Sequence, residues 1–227
     1  MDYQILGHNM QALKINLDKG ERVYADSGKL LSKSSNVIMT PRMAGGLVSA
    51  IERKLTGASA LLTEFAAKDK SGNVSVAGLY PGSVFMVDLK RGDSFAAEDH
   101  AFLAAEEAVK FNVETVSLGA AFFGGAGLIL QKFVGPGKVF IHIVGDPVIY
   151  NVGETDQIEI DPGHIAGFNP SLKYGIRFVD NVRTAMFGGV GLFLATFKGK
   201  GSVIAHSVSR LKLSSEIYLE GKQGNKQ

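Results

Sequence analysis

Apolar and polar residues alternate along this chain with the period of a β-strand more often than with that of a helix. Leu128 and Leu130 alternate with other residues, and so do Leu192 and Leu194. A strand that buries one face reads this way, because successive side chains point to opposite faces. Each run meets glycine-rich turn chemistry, Gly135-Pro136-Gly137 and Gly199-Lys200-Gly201, where glycine reaches positive φ without a Cβ penalty. β-type residues resume at Val139-Phe140-Ile141 and Val203-Ile204-Ala205. Strand, tight turn, strand predicts a β-hairpin in both places. Met1–Leu17 alternates more loosely, through Ile5, Met10, Leu13, Ile15 and Leu17, and predicts one or two strands.

The two stretches are versions of one motif. Gly125–His142 and Gly189–His206 share Gly-x-Gly-Leu-x-Leu-x-x-Phe-x-Gly-x-Gly-x-Val at a constant offset. Self-similarity of this kind signals one structural unit used more than once. A weaker copy runs from Gly57 to Phe65, turns at Ser71-Gly72-Asn73 and returns through Val74–Ala77. Upstream of each copy lies a Gly-acid pair, Gly20-Glu21, Gly92-Asp93 and Gly153-Glu154. Each leads through a strand-like stretch to a turn, at Asp26-Ser27-Gly28, Asp99-His100-Ala101 and Asp161-Pro162-Gly163. Aspartate and glycine there are hairpin turn residues.

The expectation is therefore all-β, with three hairpin-based repeats at about 17–77, 89–142 and 150–206 packed as a sandwich or barrel. A single compact domain over 1–220 and a disordered tail over 221–227 complete the prediction. Ala101–Phe111 has good helix propensity, but propensity is a weak prior. Alignment with the other copies predicts a strand, a turn near Glu106-Glu107 and a strand over Val109–Val116. One short helix is predicted from Thr40-Pro41, where Leu47, Ile51, Lys54 and Leu55 fall at helical spacing.

Composition narrows the function classes. Hydrophobic residues make up 45% of the 227, charged residues only 20%, below the ~25% usual for soluble domains. The 24 basic and 22 acidic residues nearly balance, so no electrostatic footprint for nucleic acid is present. With no cysteine, disulfides and thiolate metal sites are excluded. Met1-Asp2-Tyr3-Gln4 has neither a basic nor an apolar leader character, and the sequence predicts no signal peptide. The longest uncharged apolar run, Ser117–Gln131, is shorter than the ~18–20 residues of a membrane-spanning helix. A cytoplasmic protein is the expectation.

Candidate chemistry is sparse. No Gly-x-x-x-x-Gly-Lys-Ser/Thr phosphate loop, His-Glu-x-x-His or Gly-x-Ser-x-Gly occurs, and Gly124-Gly125-Ala126-Gly127 lacks the third glycine of a dinucleotide fingerprint. No cofactor is expected. His142 and His206 occupy equivalent repeat positions and are the weak metal candidates; two histidines with a carboxylate would suit a metal, but a third ligand cannot be named. His100 sits among Glu98, Asp99, Glu106 and Glu107, which reads as a solvated turn. Phe122, Phe123, Met186 and Phe187 lie just before the glycine-rich bends. They either meet another subunit or a membrane surface, or fold back onto the protein's own core.

The doubled motif and the strand His100-Ala101-Phe102-Leu103-Ala104 resemble the altered-inheritance-of-mitochondria type of mitochondrial biogenesis proteins, from Gly20 to about His206. The resemblance implies an all-β fold similar to the tryptophan RNA-binding attenuation protein, of double-stranded β-helix type, and association into homo-oligomers. It implies no enzymatic activity and brings no catalytic or binding residues. The expected function is that of a non-enzymatic oligomeric interaction or scaffold protein, with protein partners or a membrane-surface contact. A small-ligand or nucleic-acid binding β-protein is the alternative, and a metal-dependent double-stranded β-helix enzyme using His142 and His206 comes third.

Overall fold

The structure is a computed structural model that describes residues 1–42, 62–116, 128–178, 193–210, 212–213 and 215–216. Through His206 the described elements are strands and short 3-10 turns, and every strand pair whose register is defined is antiparallel. The all-β expectation holds. The chain divides into two compact units, Met1–Ile143 and Val144–Gln227.

The first unit begins with β1 (Asp2–Leu6), β2 (Ala12–Leu17), β3 (Arg22–Asp26), β4 (Leu30–Lys33) and β5 (Val37–Arg42). It continues with β6 (Leu62–Ala67), β7 (Gly72–Ala77), β8 (Gly82–Leu89) and β9 (Ser94–Glu98). It ends with β10 (Phe102–Glu106), β11 (Lys110–Val116), β12 (Leu128–Val134) and β13 (Gly137–Val144). One sheet runs β1-β2-β7-β4, a second runs β5-β6-β3-β10-β13-β8, and β11, β12 and β9 lie side by side. In the second unit, β14 (Pro147–Val152) and β16 (Ile165–Phe168) flank β19 (Gly201–His206). There, too, β15 (Gln157–Ile160) and β17 (Lys173–Phe178) flank β18 (Phe193–Lys198).

The predicted hairpins are corrected. The strands on either side of Gly135-Pro136 are β12 and β13, and they do not pair. β12 pairs β11 on one edge and β9 on the other, while β13 pairs β10. A strand has two hydrogen-bonding edges, and both edges of β12 are taken before the chain reaches the turn. The same holds for β6, held between β5 and β3, and for β18, held between β15 and β17. The strands that follow, β7 and β19, pair β2 with β4 and β14 with β16. The glycine turns are corners between sheets rather than hairpin tips.

The upstream turns are corners as well. After β3, β9 and β15 the chain makes a single 3-10 turn over Ser27–Lys29, Asp99–Ala101 and Pro162–His164. An acidic side chain caps each one: Asp26 Oδ1 accepts from the Gly28 amide at 2.9 Å, Glu98 Oε2 from His100 at 3.0 Å, and Asp161 Oδ1 from Gly163 at 2.9 Å. These bonds satisfy amides that the turn leaves without a strand partner. The cap of the middle turn is Glu98, one residue before the aligned Asp99. Each following strand then slips register once against its partner, at Leu30/Ser32, Phe102/Ala104 and Ile165/Gly167.

Two local expectations met different outcomes. Ala101–Phe111 is the end of a 3-10 turn, then β10, a turn and the start of β11, so tertiary pairing overrides helix propensity there. Thr40-Pro41 does not start a helix; both residues lie in β5 and pair Glu64 and Thr63. β5 is an edge strand, where the missing proline N–H costs no ladder bond. The remainder of that predicted helix lies outside the described residues, as do the connectors at 117–127 and 179–192.

The period-2 pattern explains the core. Leu13, Ile15 and Leu17 of β2 are fully or almost fully buried and pack with Val23, Val37, Phe65, Val74, Val76 and Phe140. A second cluster in this unit is aromatic: Phe133 stacks on Phe102 with ring centres 4.9 Å apart and lies 5.4 Å from Phe111. Tyr24 joins it at 5.8 Å from Phe102, donates its hydroxyl to the Val109 carbonyl at 3.1 Å, and carries the Arg42 guanidinium 4.1 Å above its ring. In the second unit Phe168, Tyr174 and Phe197 pack together at 5.0 to 5.7 Å. Phe133 is fully buried, so Phe133→Ala removes the centre of the aromatic cluster. It is expected to cost about 3–5 kcal/mol, read as a lowered midpoint in urea unfolding with an unchanged m-value.

Candidate functional site

Charged side chains are almost never fully buried unless paired, yet the first unit buries several together. Asp26, Lys29, Glu98, Asp99, Gln131 and His142 are each less than a tenth exposed. The capped turns bring them in. The Lys29 Nζ donates to the carbonyls of His100 and Phe102 and stands 3.5 Å from Asp26 Oδ2. It thereby ties the turn after β3 to the turn after β9. Burial pulls its pKa down, and the charges of Asp26, Glu98 and Asp99 work against that fall.

Asp99 points inward beside this lysine and accepts from Gln131 Nε2 at 2.7 Å. Burial raises its pKa, helped by the neighbouring Glu98 and opposed by His100, the Gln131 hydrogen bond and Lys29. Corresponding positions elsewhere are instructive. Ser27 follows the Asp26 cap, and its hydroxyl meets Thr63 Oγ1 at 2.6 Å. In the second unit Pro162 follows the Asp161 cap, and the strand residue matching Thr63 and Gln131 is Ala195, all of them two before the phenylalanines Phe65, Phe133 and Phe197. The residue after the first cap thus meets a hydroxyl and the residue after the second cap meets an amide, whereas the third positions are apolar residues.

His142, at the end of β13, is 3% exposed. Its ring lies against Gly78: a Cβ at that glycine would stand 2.1 Å from His142 Cδ2. A hydrogen bond to the backbone of Tyr80 holds it. Burial, and then the Lys29 cation, push its pKa down to about 4, so the imidazole is neutral at pH 7. The space for a side chain at Gly78 is taken by the His142 ring.

His206, in the second unit, is equally buried. Its Nδ1 accepts from the Val144 amide at 3.0 Å, which places its proton on Nε2. Its carbonyl accepts from His164 Nδ1 at 2.8 Å, so that nitrogen carries the proton of His164. The two weak metal candidates therefore sit in different units, each engaged with backbone. Among the described residues no three His, Asp or Glu side chains form a group able to hold a metal. Phe122, Phe123, Met186 and Phe187 lie outside the described residues.

Glu98 and Asp99, read from sequence as part of a solvated turn around His100, are buried, and Lys29 was not singled out from sequence. Gln131 did carry a signal: an amide in the middle of the strand Leu128–Val134, whose neighbours Leu130 and Phe133 are apolar and buried.

Apolar side chains also mark some sheet edges. In β14, at the edge beside β19, Val148, Ile149 and Tyr150 are 36%, 50% and 42% exposed, and the strand has no charged residue. Other edge strands differ: β5 contains Pro41 and Arg42, β11 begins with Lys110, and β17 has Lys173 and Arg177. No described helix is long and apolar enough to cross a membrane.

Comparison with known proteins agrees with this architecture. The family described as mitochondrial biogenesis AIM24 matches residues 3–208, and the chain belongs to that family. An uncharacterized protein of Streptococcus pyogenes serotype M6 is 24% identical over 204 residues, covering 87% of this chain and 81% of that protein. The crystal structure of a Streptococcus pyogenes protein superposes with a TM-score of 0.78 at 21% identity, covering 96% of this chain and 99% of that one; it shares the fold.

Two outcomes follow from the His142 environment. Gly78→Ala is expected to destabilise the protein strongly, and His142→Gly in the same chain to recover part of that loss. A double-mutant cycle on unfolding free energies should give a favourable coupling above about 1 kcal/mol. The second outcome concerns pH. The folded pKa of about 4 lies below the unfolded value of about 6.5. The stabilisation from the neutral ring is complete above pH ~6.5 and is lost as pH falls through 4. Urea midpoints between pH 7 and 4 should fall less steeply in His142→Gln than in the wild type.

Proposed function

We propose that this member of the mitochondrial biogenesis AIM24 family is a non-enzymatic, cytoplasmic scaffold that works by assembling into a homo-oligomer. The observation that carries this reading is β14. An edge strand offers unpaired N–H and C=O groups, and proteins commonly guard such edges with charges, prolines or bulges. β14 has an uncharged surface of Val148, Ile149 and Tyr150, with its one proline at its first position. Pairing or covering that edge with another copy removes both the open ladder and the exposed apolar area. The buried ionic groups fit a structural role: Lys29 is tied to two carbonyls, His142 to Gly78 and Tyr80, and His206 to Val144.

The same reading includes the fold. The order of pairings recurs: β5-β6-β3, β11-β12-β9 and β17-β18-β15 in one set, β4-β7-β2, β10-β13-β8 and β16-β19-β14 in the other. This recurrence supports three copies of a six-strand unit, in the manner of a tryptophan RNA-binding attenuation protein-like or double-stranded β-helix fold.

Light scattering at micromolar concentration is expected to give a multiple of the 24.2 kDa chain mass. Ile149→Lys places a charge on the exposed strand and should reduce the mass without changing the far-UV circular dichroism. A monomeric wild type overturns the proposal.

A further inference from the structure

The Gln131 amide presents a donor and an acceptor, and only the donor is used. Nε2 gives its hydrogen to Asp99 Oδ1 at 2.7 Å. Oε1 is buried and has no hydrogen-bond partner among the described residues, in a side chain only 2% exposed. A buried unsatisfied acceptor carries a full desolvation cost. An ionised carboxylate is acceptor-only and cannot relieve it, whereas a carboxylic acid has one O–H to give. An amide and a neutral acid are complementary across two hydrogen bonds.

The matched positions point the same way. Ser27 with Thr63 is a neutral pair in which either hydroxyl can donate, and Pro162 with Ala195 needs no proton at all. An ionised Asp99 would make this place charged in one instance out of three. We propose that Asp99 stands in the folded protein as a neutral carboxylic acid, locked to Gln131 through Nε2–H onto Oδ1 and Oδ2–H onto Oε1, and that losing this proton loosens the turn that anchors Lys29.

Glu98 and His100 flank Asp99 on its own turn, Lys29 faces it from the turn after β3, and Gln131 from β12 is neutral. Glu98 resists a second negative charge beside it. Lys29 favours ionisation, but its ammonium is already held by Asp26 and by the carbonyls of His100 and Phe102. Burial favours the neutral form. Because the His100 and Phe102 carbonyls belong to the turn and strand that carry Asp99, the proton on Asp99 and the grip on Lys29 are linked.

The sign of the linkage is set by a folded pKa above the unfolded one. The acid–amide lock contributes fully below the unfolded value of about 4 and is lost as pH rises through the folded value. Asp99→Asn replaces the acid with an amide that makes the same two bonds at every pH. The test uses the full chain labelled with 13C at aspartate carboxyls, the Asp99 signal being assigned through the backbone. Asp99 is expected to remain protonated at pH values where the exposed aspartates have titrated. The folding equilibrium constant of the wild type relative to Asp99→Asn is expected to fall with rising pH over the same range, by up to tenfold per pH unit. A carboxyl that titrates at or below 4, or a wild-type advantage that grows with pH, overturns the proposal. Should Asp99→Asn fail to fold, the wild-type carboxyl titration decides alone.

Discussion

A β-strand has only two edges, and this rule governs the chain's path. β6, β12 and β18 each have both edges occupied. The strand that follows must therefore leave for another set of partners. The same departure is made after β3, β9 and β15, each time through one 3-10 turn capped by an acidic side chain. Corners are costly places for a backbone, because amides there lose their ladder partners. Asp26, Glu98 and Asp161 supply the missing acceptors, and Lys212 reinforces the last of them with an ion pair to Asp161 at 3.1 Å.

Placing acids at corners has a second effect. The carboxylates of Asp26 and Glu98 end up buried, and a buried charge must find compensation. Lys29 supplies it between the first two corners. A buried ion pair contributes little net stability against an apolar equivalent; its role here is positional, since the lysine grips carbonyls from a different turn. His142 remains neutral because it is buried, and the nearby cation adds to that effect. In the polar interior of the first unit, burial sets the direction of the shifts at Lys29, Asp99 and His142, and their charged neighbours modify it.

Much of this was legible in the sequence, and the limits have physical reasons. Alternation marked the strands, and Gly-acid pairs marked the approach to three of them; Gly20 and Gly92, just before β3 and β9, adopt φ of +86° and +92°. The internal copies also overruled helix propensity at Ala101–Phe111. What alternation cannot reveal is the partner of a strand, because burial on one face looks alike whether the next strand pairs or turns away. Hence corners were read as hairpins; Thr40-Pro41 was read as a helix start for another reason, the helical spacing of Leu47, Ile51, Lys54 and Leu55 after it. The shift from Asp99 to Glu98 as the cap escaped notice because adjacent acids look interchangeable in a turn. One of them caps while the other faces inward, and only geometry separates those tasks. Gln131 also went unremarked, although an amide between buried Leu130 and Phe133 offered a signal.

The contact between His142 and Gly78 reaches beyond this one chain. The imidazole occupies the volume that a side chain at residue 78 would need, so the two positions share a single allowance of space. Divergence cannot proceed at one independently of the other. A homologue that gains even a methyl group at the first must surrender the ring at the second, or move the backbone between them. The pair should therefore appear among relatives as a correlated substitution.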